Sequence, residues 1–143
     1  MEKKRYTLDD LMEIVSSLRK EGGCPWDQAQ THASMKSCML NEAQEVVEGI
    51  DLYESTGDAD NLCEELGDVL FQVAFHSQIA KEEGIFTIED VIEAICKKMI
   101  RRHPHVFGEG KGGPIPDWEE IKRKEREWKQ KDKRRDFPKL ENP

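Results

Sequence analysis

The sequence predicts an all-α protein, and three observations carry that expectation. Apolar residues recur at spacings of three and four through five separate stretches, no stretch of any length alternates apolar with polar residues, and each stretch is separated from the next by glycine or proline. The first stretch opens at Thr7 with Asp10 three residues on, a capping-box pattern. It sets Leu8, Leu11, Ile14, Val15 and Leu18 on one stripe and stops at Gly22-Gly23. Residues 22 to 30, with Cys24-Pro25-Trp26-Asp27, read as a loop. A second helix is expected from about Thr31 to Ser55, ending near Gly57, and a third from Asp58 or Asp60 to Glu83, stopped by Gly84. Thr87 with Asp90 caps a fourth, through Ile88, Val91, Ile92, Ile95 and Met99. It ends at Arg102-His103, because a proline at 104 disfavours helix at the residue before it. Residues 103 to 116, with three prolines and four glycines, form a loop. Asp117 caps a last helix with Trp118, Ile121 and Trp128 on one stripe.

Together these make one domain over residues 1–133, a bundle of four to five helices, followed by a polar tail over 134–143. The third helix is apolar nearly all the way round at Val69, Leu70, Phe71, Val73, Ala74 and Phe75. A helix without a polar face is buried on every side. With so few helices in the chain, a second copy is the natural cover, so the bundle is expected to be completed in a homodimer or a dimer of dimers.

Composition narrows the class. Charged and apolar residues each make up 36%, and no apolar run approaches the roughly 20 residues that span a bilayer, so no membrane partner is expected. The start, MEKKRYTLDD, carries no signal-peptide apolar region, which points to the cytoplasm. Cys24, Cys38, Cys63 and Cys96 are scattered with no C-x-x-C pair, so reduced structural thiols are expected. Net charge is −8; Glu119 to Arg135 holds nine basic residues against five acidic ones, so the rest of the chain is near −12. A body that acidic repels nucleic-acid polymers, yet it can hold a phosphate ligand through a divalent cation.

The acids are not randomly placed. Glu42-x-x-Glu45 and Glu65-x-x-Asp68 lie on the two longest helices, and a spacing of three puts each pair on one helical face. The stripes extend as Cys38, Glu42, Glu45, Gly49 and as Glu65, Asp68, Gln72, His76, with apolar flanks at Met39, Ala43 and Val46 and at Leu66, Val69 and Leu70. A hairpin folded at Gly57 turns these stripes toward each other. Four carboxylates so gathered repel strongly, and a divalent cation relieves that; an all-oxygen shell suits Mg²⁺ or Mn²⁺. The competing reading is a solvated acidic face. A di-iron site needs Glu-x-x-His pairs, which neither helix supplies.

Three segments, CPWDQAQTHASMKSCMLNEAQEVVEGID, EELGDVLFQVAFHSQIAKEEG and KKMIRRHPHVFGE, resemble the MazG-type pyrophosphohydrolases of the all-α NTP pyrophosphatase superfamily. The likeness covers about Gly22 to Glu109, with a weaker echo at Asp117-Trp118-Glu119-Glu120-Ile121-Lys122. It implies an enzyme that hydrolyses NTP or dNTP to the monophosphate and pyrophosphate with Mg²⁺, Mn²⁺ being a possible substitute, in a house-cleaning role. Carried over by position, Glu42, Glu45, Glu65 and Asp68 bind the metal, with Glu45 or Glu42 acting on the water. Lys98, Arg101 and Arg102 hold the triphosphate; Trp118, Trp26 and His32 complete the substrate site. Asn41 stands where many relatives have an acid, and Gln28 where lysine is frequent. Better-known members carry two such domains in tandem, where this sequence holds one. The basic cluster also has a local reading, since cations at a helix C-terminus are favoured by the helix dipole, although the planar fork of arginine suits phosphate better. Trp118 and Trp128 likewise fit plain packing beside Ile121. Alternatives of narrower kind are a dUTP, dCTP or phosphoribosyl-ATP enzyme, or a non-catalytic nucleotide sensor.

Overall fold

The structure is a computed structural model and describes residues 5–131. Among these it is helical throughout, with no strand: α1 (Leu8–Arg19), α2 (Pro25–Ala29), α3 (Lys36–Thr56), α4 (Asp60–Glu82), α5 (Ile88–Arg102), a 3₁₀ turn at Gly108–Gly110, and α6 (Trp118–Lys131). The chain divides into two compact units, Met1–Glu82 and Glu83–Pro143. The expected tail over 134–143 lies outside the described residues.

In the first unit, α3 and α4 form an antiparallel hairpin. Gly57 closes α3 in the left-handed region, at φ 78°, and its N–H bonds to the Tyr53 carbonyl. Next to the turn the two helices touch: a Cβ at Gly49 would lie 3.2 Å from the Leu62 backbone. An added Cβ there is tighter than ordinary contact, so Leu62 on α4 would have to give by a few tenths of an ångström. Further along, Met35, Ala74, Phe75 and Ile79 close with Val15 of α1 into the core, and Leu11, Met12, Cys38 and Phe71 pack against it. The capping box of α1 is present, with Thr7 N donating to Asp10 Oδ2 at 2.8 Å and Asp10 N to Thr7 Oγ1 at 3.2 Å.

The stretch between α1 and α3 departs from expectation. Residues 22–30 are not all loop, because Pro25 sits at the first helical position with its φ preset and starts the short α2. Arg19 holds that helix from outside. Its side chain is only 7% exposed, and Nη1 donates to the carbonyls of Asp27 (2.7 Å) and Gln30 (3.0 Å). Its other edge pairs with both oxygens of Glu82, and its Cζ lies 5.1 Å from the Phe75 ring centroid. Nor does α3 begin at Thr31. Thr31 N donates to Ser34 Oγ and Ser34 N to Thr31 Oγ1, a reciprocal turn that competes with helix, so α3 starts at Lys36.

In the second unit, Thr87 N donates to Asp90 Oδ2 at 2.9 Å to open α5. α5 ends at Arg102, ahead of Pro104 as expected. Asp117 Oδ1 accepts from Glu119 N at the start of α6.

Candidate functional site

The hairpin brings the two acidic pairs together. One carboxylate oxygen from each of Glu42, Glu45, Glu65 and Asp68 lies within 4.8 Å of the other three. Glu42 and Glu65 are half-buried and Glu45 is exposed. The remaining oxygens matter as much. Glu42 Oε2 and Glu65 Oε2 are buried and accept no hydrogen bond among the described residues. A carboxylate oxygen out of water and without a donor is costly. Burial, then the neighbouring Glu45 and Asp68 carboxyls, push Glu42 above its ordinary range. Glu65 is pushed up to about 7, chiefly by the carboxyl of Glu45, then by burial and by the charges of Glu45, Asp68 and Glu42. A solvated acidic face would leave each group in water with its own shell. This cluster instead has no positive partner among the described residues, and its hard, all-oxygen donor set fits a divalent cation of the Mg²⁺ or Mn²⁺ kind.

His32, which precedes α3, reaches α4. Its Nδ1 lies 2.8 Å from Nδ1 of His76, the rings stacked at 5.1 Å between centroids. Burial and the proximity of His32 hold His76 below its ordinary value. Gln72, one turn from His76 on the same stripe, is buried, and its Oε1 accepts no hydrogen bond among the described residues. Trp26 is exposed on α2.

The remaining sequence-predicted residues lie in the second unit. Lys98 is half-buried on α5, while Lys97 pairs with Glu93 one turn back at 3.2 Å, an ordinary helix-surface ion pair. Arg101 and Arg102 converge on one acid of α6: Arg101 Nε donates to Glu125 Oε2 at 2.8 Å, and Arg102 Nη2 to Glu125 Oε1 at 2.7 Å. Both guanidiniums also lie over indole rings, Arg102 4.8 Å from the Trp118 centroid and Arg101 5.1 Å from that of Trp128. Trp118 thus packs against Arg102, and the residue is still 43% exposed. Arg101, Glu125 and Trp128, with Ile121 and Lys124, line a cavity of about 420 Å³. Glu125 was not singled out from the sequence.

Residues 30–107 match the family model of the MazG nucleotide pyrophosphohydrolase domain, which is more than half of the chain. The chain belongs to the MazG family. It is 47% identical over 126 residues to a nucleoside triphosphate pyrophosphohydrolase/pyrophosphatase MazG of Thermotoga maritima, covering 88% of this chain and 48% of that protein. It is 44% identical over 124 residues to a nucleoside triphosphate pyrophosphohydrolase of Escherichia coli K12, covering 83% of this chain and 46% of that one. An uncharacterised protein YabN of Bacillus subtilis is 49% identical over 117 residues, 79% of this chain and 23% of its own length. The chain therefore spans about half the length, or less, of these MazG relatives. The match crosses both compact units and includes all four carboxylates, Lys98, Arg101, Arg102 and His32; Trp26 and Trp118 lie outside it.

Proposed function

We propose that this MazG-family chain is a Mg²⁺-dependent nucleoside triphosphate pyrophosphohydrolase, converting NTP or dNTP and water to NMP or dNMP and pyrophosphate in the cytoplasm. The observation that carries the reading is the convergence of Glu42, Glu45, Glu65 and Asp68 with two buried oxygens that no donor among the described residues satisfies. These four residues hold the cation, Mg²⁺ or in its place Mn²⁺, which when bound supplies Lewis acidity and neutralises charge on the phosphates. Glu45, the exposed member, is the carboxylate that water reaches, and it takes the proton as the water oxygen attacks and the bond between the α-phosphate and the pyrophosphate breaks. Glu42, with one oxygen buried, orients the others. Lys98, Arg101 and Arg102 hold triphosphate oxygens by charge-assisted hydrogen bonds. Trp118 packs near the nucleotide, and Trp26 and His32 complete the substrate-binding set. Residues 1–133 act as one domain, a reading supported by a family match that runs through both units.

The test is incubation of the chain with a panel of canonical and damaged nucleotides and Mg²⁺, with pyrophosphate and monophosphate both measured. Equimolar release of the two supports the reading. Orthophosphate as the product overturns it, and nucleotide binding without turnover makes the chain a sensor. A response to dUTP, dCTP or phosphoribosyl-ATP alone narrows the substrate.

The same reading includes a homodimer or a dimer of dimers. Leu40 and Val47 on α3 and Leu66 and Leu70 on α4 are between 47% and 72% exposed, so the hairpin keeps apolar surface that a second copy would cover. Light scattering at micromolar concentration should give at least twice the 16.6 kDa of one chain, and a monomer mass would sink this part.

A further inference from the structure

Arg101 and Arg102 are successive residues of α5, and side chains of successive helical residues diverge by about 100°. Here both are turned to one acceptor. Glu125 takes Arg101 Nε at 2.8 Å on one oxygen and Arg102 Nε at 3.0 Å with Nη2 at 2.7 Å on the other. An indole ring lies against the face of each guanidinium, Trp128 for Arg101 and Trp118 for Arg102. Edge and face are thus both fixed, and the side chains keep only 25% and 19% exposure. The Glu125 side chain is 7% exposed, the most deeply placed acid of α6. Other ion pairs of that helix, such as Arg123 with Glu127 and Lys124 with Glu120, are solvent-facing pairs one turn apart.

A carboxylate between two phosphate-binding arginines could be a placeholder that the substrate displaces, or a fixture that stays. Displacement would leave a buried carboxylate without a counter-charge, among the costliest changes in a protein interior. Staying is chemically open, because a guanidinium presents five N–H donors in a planar fork, more than one carboxylate can use. Resting on the assignment of Arg101 and Arg102 to the triphosphate, we propose that Glu125 is a positioning residue that gathers these two guanidiniums into a single receptor for polyphosphate oxygens. It touches no substrate and acts through the arginines alone.

Charge and position predict opposite signs, which makes the proposal sharp. The three groups carry a net single positive charge, and Glu125→Gln doubles it with little change of shape. Were Glu125 only a charge, the variant would bind triphosphate more tightly. As a positioning residue its loss loosens binding. In the pyrophosphate-release assay with Mg²⁺, Glu125→Gln should raise KM for ATP about tenfold and Glu125→Ala more, with kcat within about threefold. Inorganic triphosphate should lose potency as a competitive inhibitor by a similar factor. Glu125→Asp, which keeps the charge, should recover part of the loss. In an Arg102→Ala background, Glu125→Gln should add little, because the two act as one unit. A thermal melt establishes that each variant folds, and Glu125→Gln carries the test where Glu125→Ala does not. A folded Glu125→Gln with KM equal to or below wild type overturns the proposal, as do fully additive effects. A loss confined to kcat in proportion to lost folded protein marks a merely structural acid and also overturns it. A wild type that releases no pyrophosphate fails the functional reading instead. An active wild type in which Arg102→Ala raises KM and Glu125→Gln does not fails only this inference.

Discussion

Asp68→Asn should abolish Mg²⁺-dependent pyrophosphate release, by about a thousandfold or more, while leaving the helices intact. The substitution changes almost nothing in shape, but it replaces a charged oxygen ligand with a neutral amide. The Asp68 carboxyl belongs to the four-acid cluster and acts on both Glu42 and Glu65. If the cluster holds the cation that stabilises the developing charge, losing one charged ligand costs several kcal/mol of transition-state stabilisation. Each 1.4 kcal/mol or so is a factor of ten in rate, so a loss of about 4 kcal/mol gives the thousandfold figure. Helicity by circular dichroism should be unchanged, and the metal-free melting temperature should stay level or rise, since one source of repulsion is gone. Near-normal Mg²⁺-dependent turnover in this variant would remove Asp68 from the ligand set.

The site was legible in the sequence where local rules decide it. Spacing alone put each acid pair on one helical face, and Gly57 between two long periodic stretches gave the hairpin that opposes them. The capping patterns at Thr7 and Thr87 likewise start helices where residue types three apart say they should. What escaped depends on distant partners. α2 is only five residues long, too short for any period, and the carbonyls near its end are held by Arg19 from another helix. The start of α3 escaped for a local reason: it lies five residues beyond Thr31, because Thr31 and Ser34 satisfy each other instead of capping a helix.

Glu125 is the more instructive miss. On a helix with acids at 119, 120, 125 and 127 its residue type alone does not set it apart. A signal was present all the same. Trp118, Ile121, Glu125 and Trp128 follow spacings of three, four and three, so Glu125 interrupts the apolar stripe of α6. A charge on such a stripe needs a partner brought by another element, and Arg101 and Arg102 of α5 are that partner. They hold the Glu125 carboxyl down to about 2, through Arg102 first, against the opposing effect of burial. The apolar girdle of α4 is unevenly covered: Ala74 and Phe75 are fully buried within the chain, while Leu70 stays about half exposed.

Stability gives the second large effect, and it separates a metal site from a solvated acidic face without any turnover. Metal-free, the cluster carries its repulsion as a pH dependence whose sign is fixed. Glu65 titrates near 7 in the folded chain against an ordinary 4.5, so folding favours its protonated form. The stabilisation linked to that proton is full below about pH 4.5 and is lost as pH rises through about 7. Metal-free wild type should therefore melt lower at pH 8 than at pH 5.5 on account of this cluster. Glu45→Gln removes the carboxylate that contributes most to the Glu65 shift, so the metal-free variant should melt higher than wild type at pH 8, with a flatter pH profile. Mg²⁺ reverses the ranking. A ligand that binds only the folded state stabilises it by about 2.7 kcal/mol at a hundred times its dissociation constant, and a variant with one charged ligand fewer gains much less. Wild type with saturating Mg²⁺ should thus melt well above its metal-free form, while Glu45→Gln moves little, and calorimetry at pH 5.5 and pH 8 reads all four states. Four carboxylates on an ordinary solvated face would give shifts within about 0.5 kcal/mol and no preference for Mg²⁺ over the same ionic strength of Na⁺. Equal melting of wild type and Glu45→Gln, with and without Mg²⁺ at both pH values, would rule out the convergent metal centre.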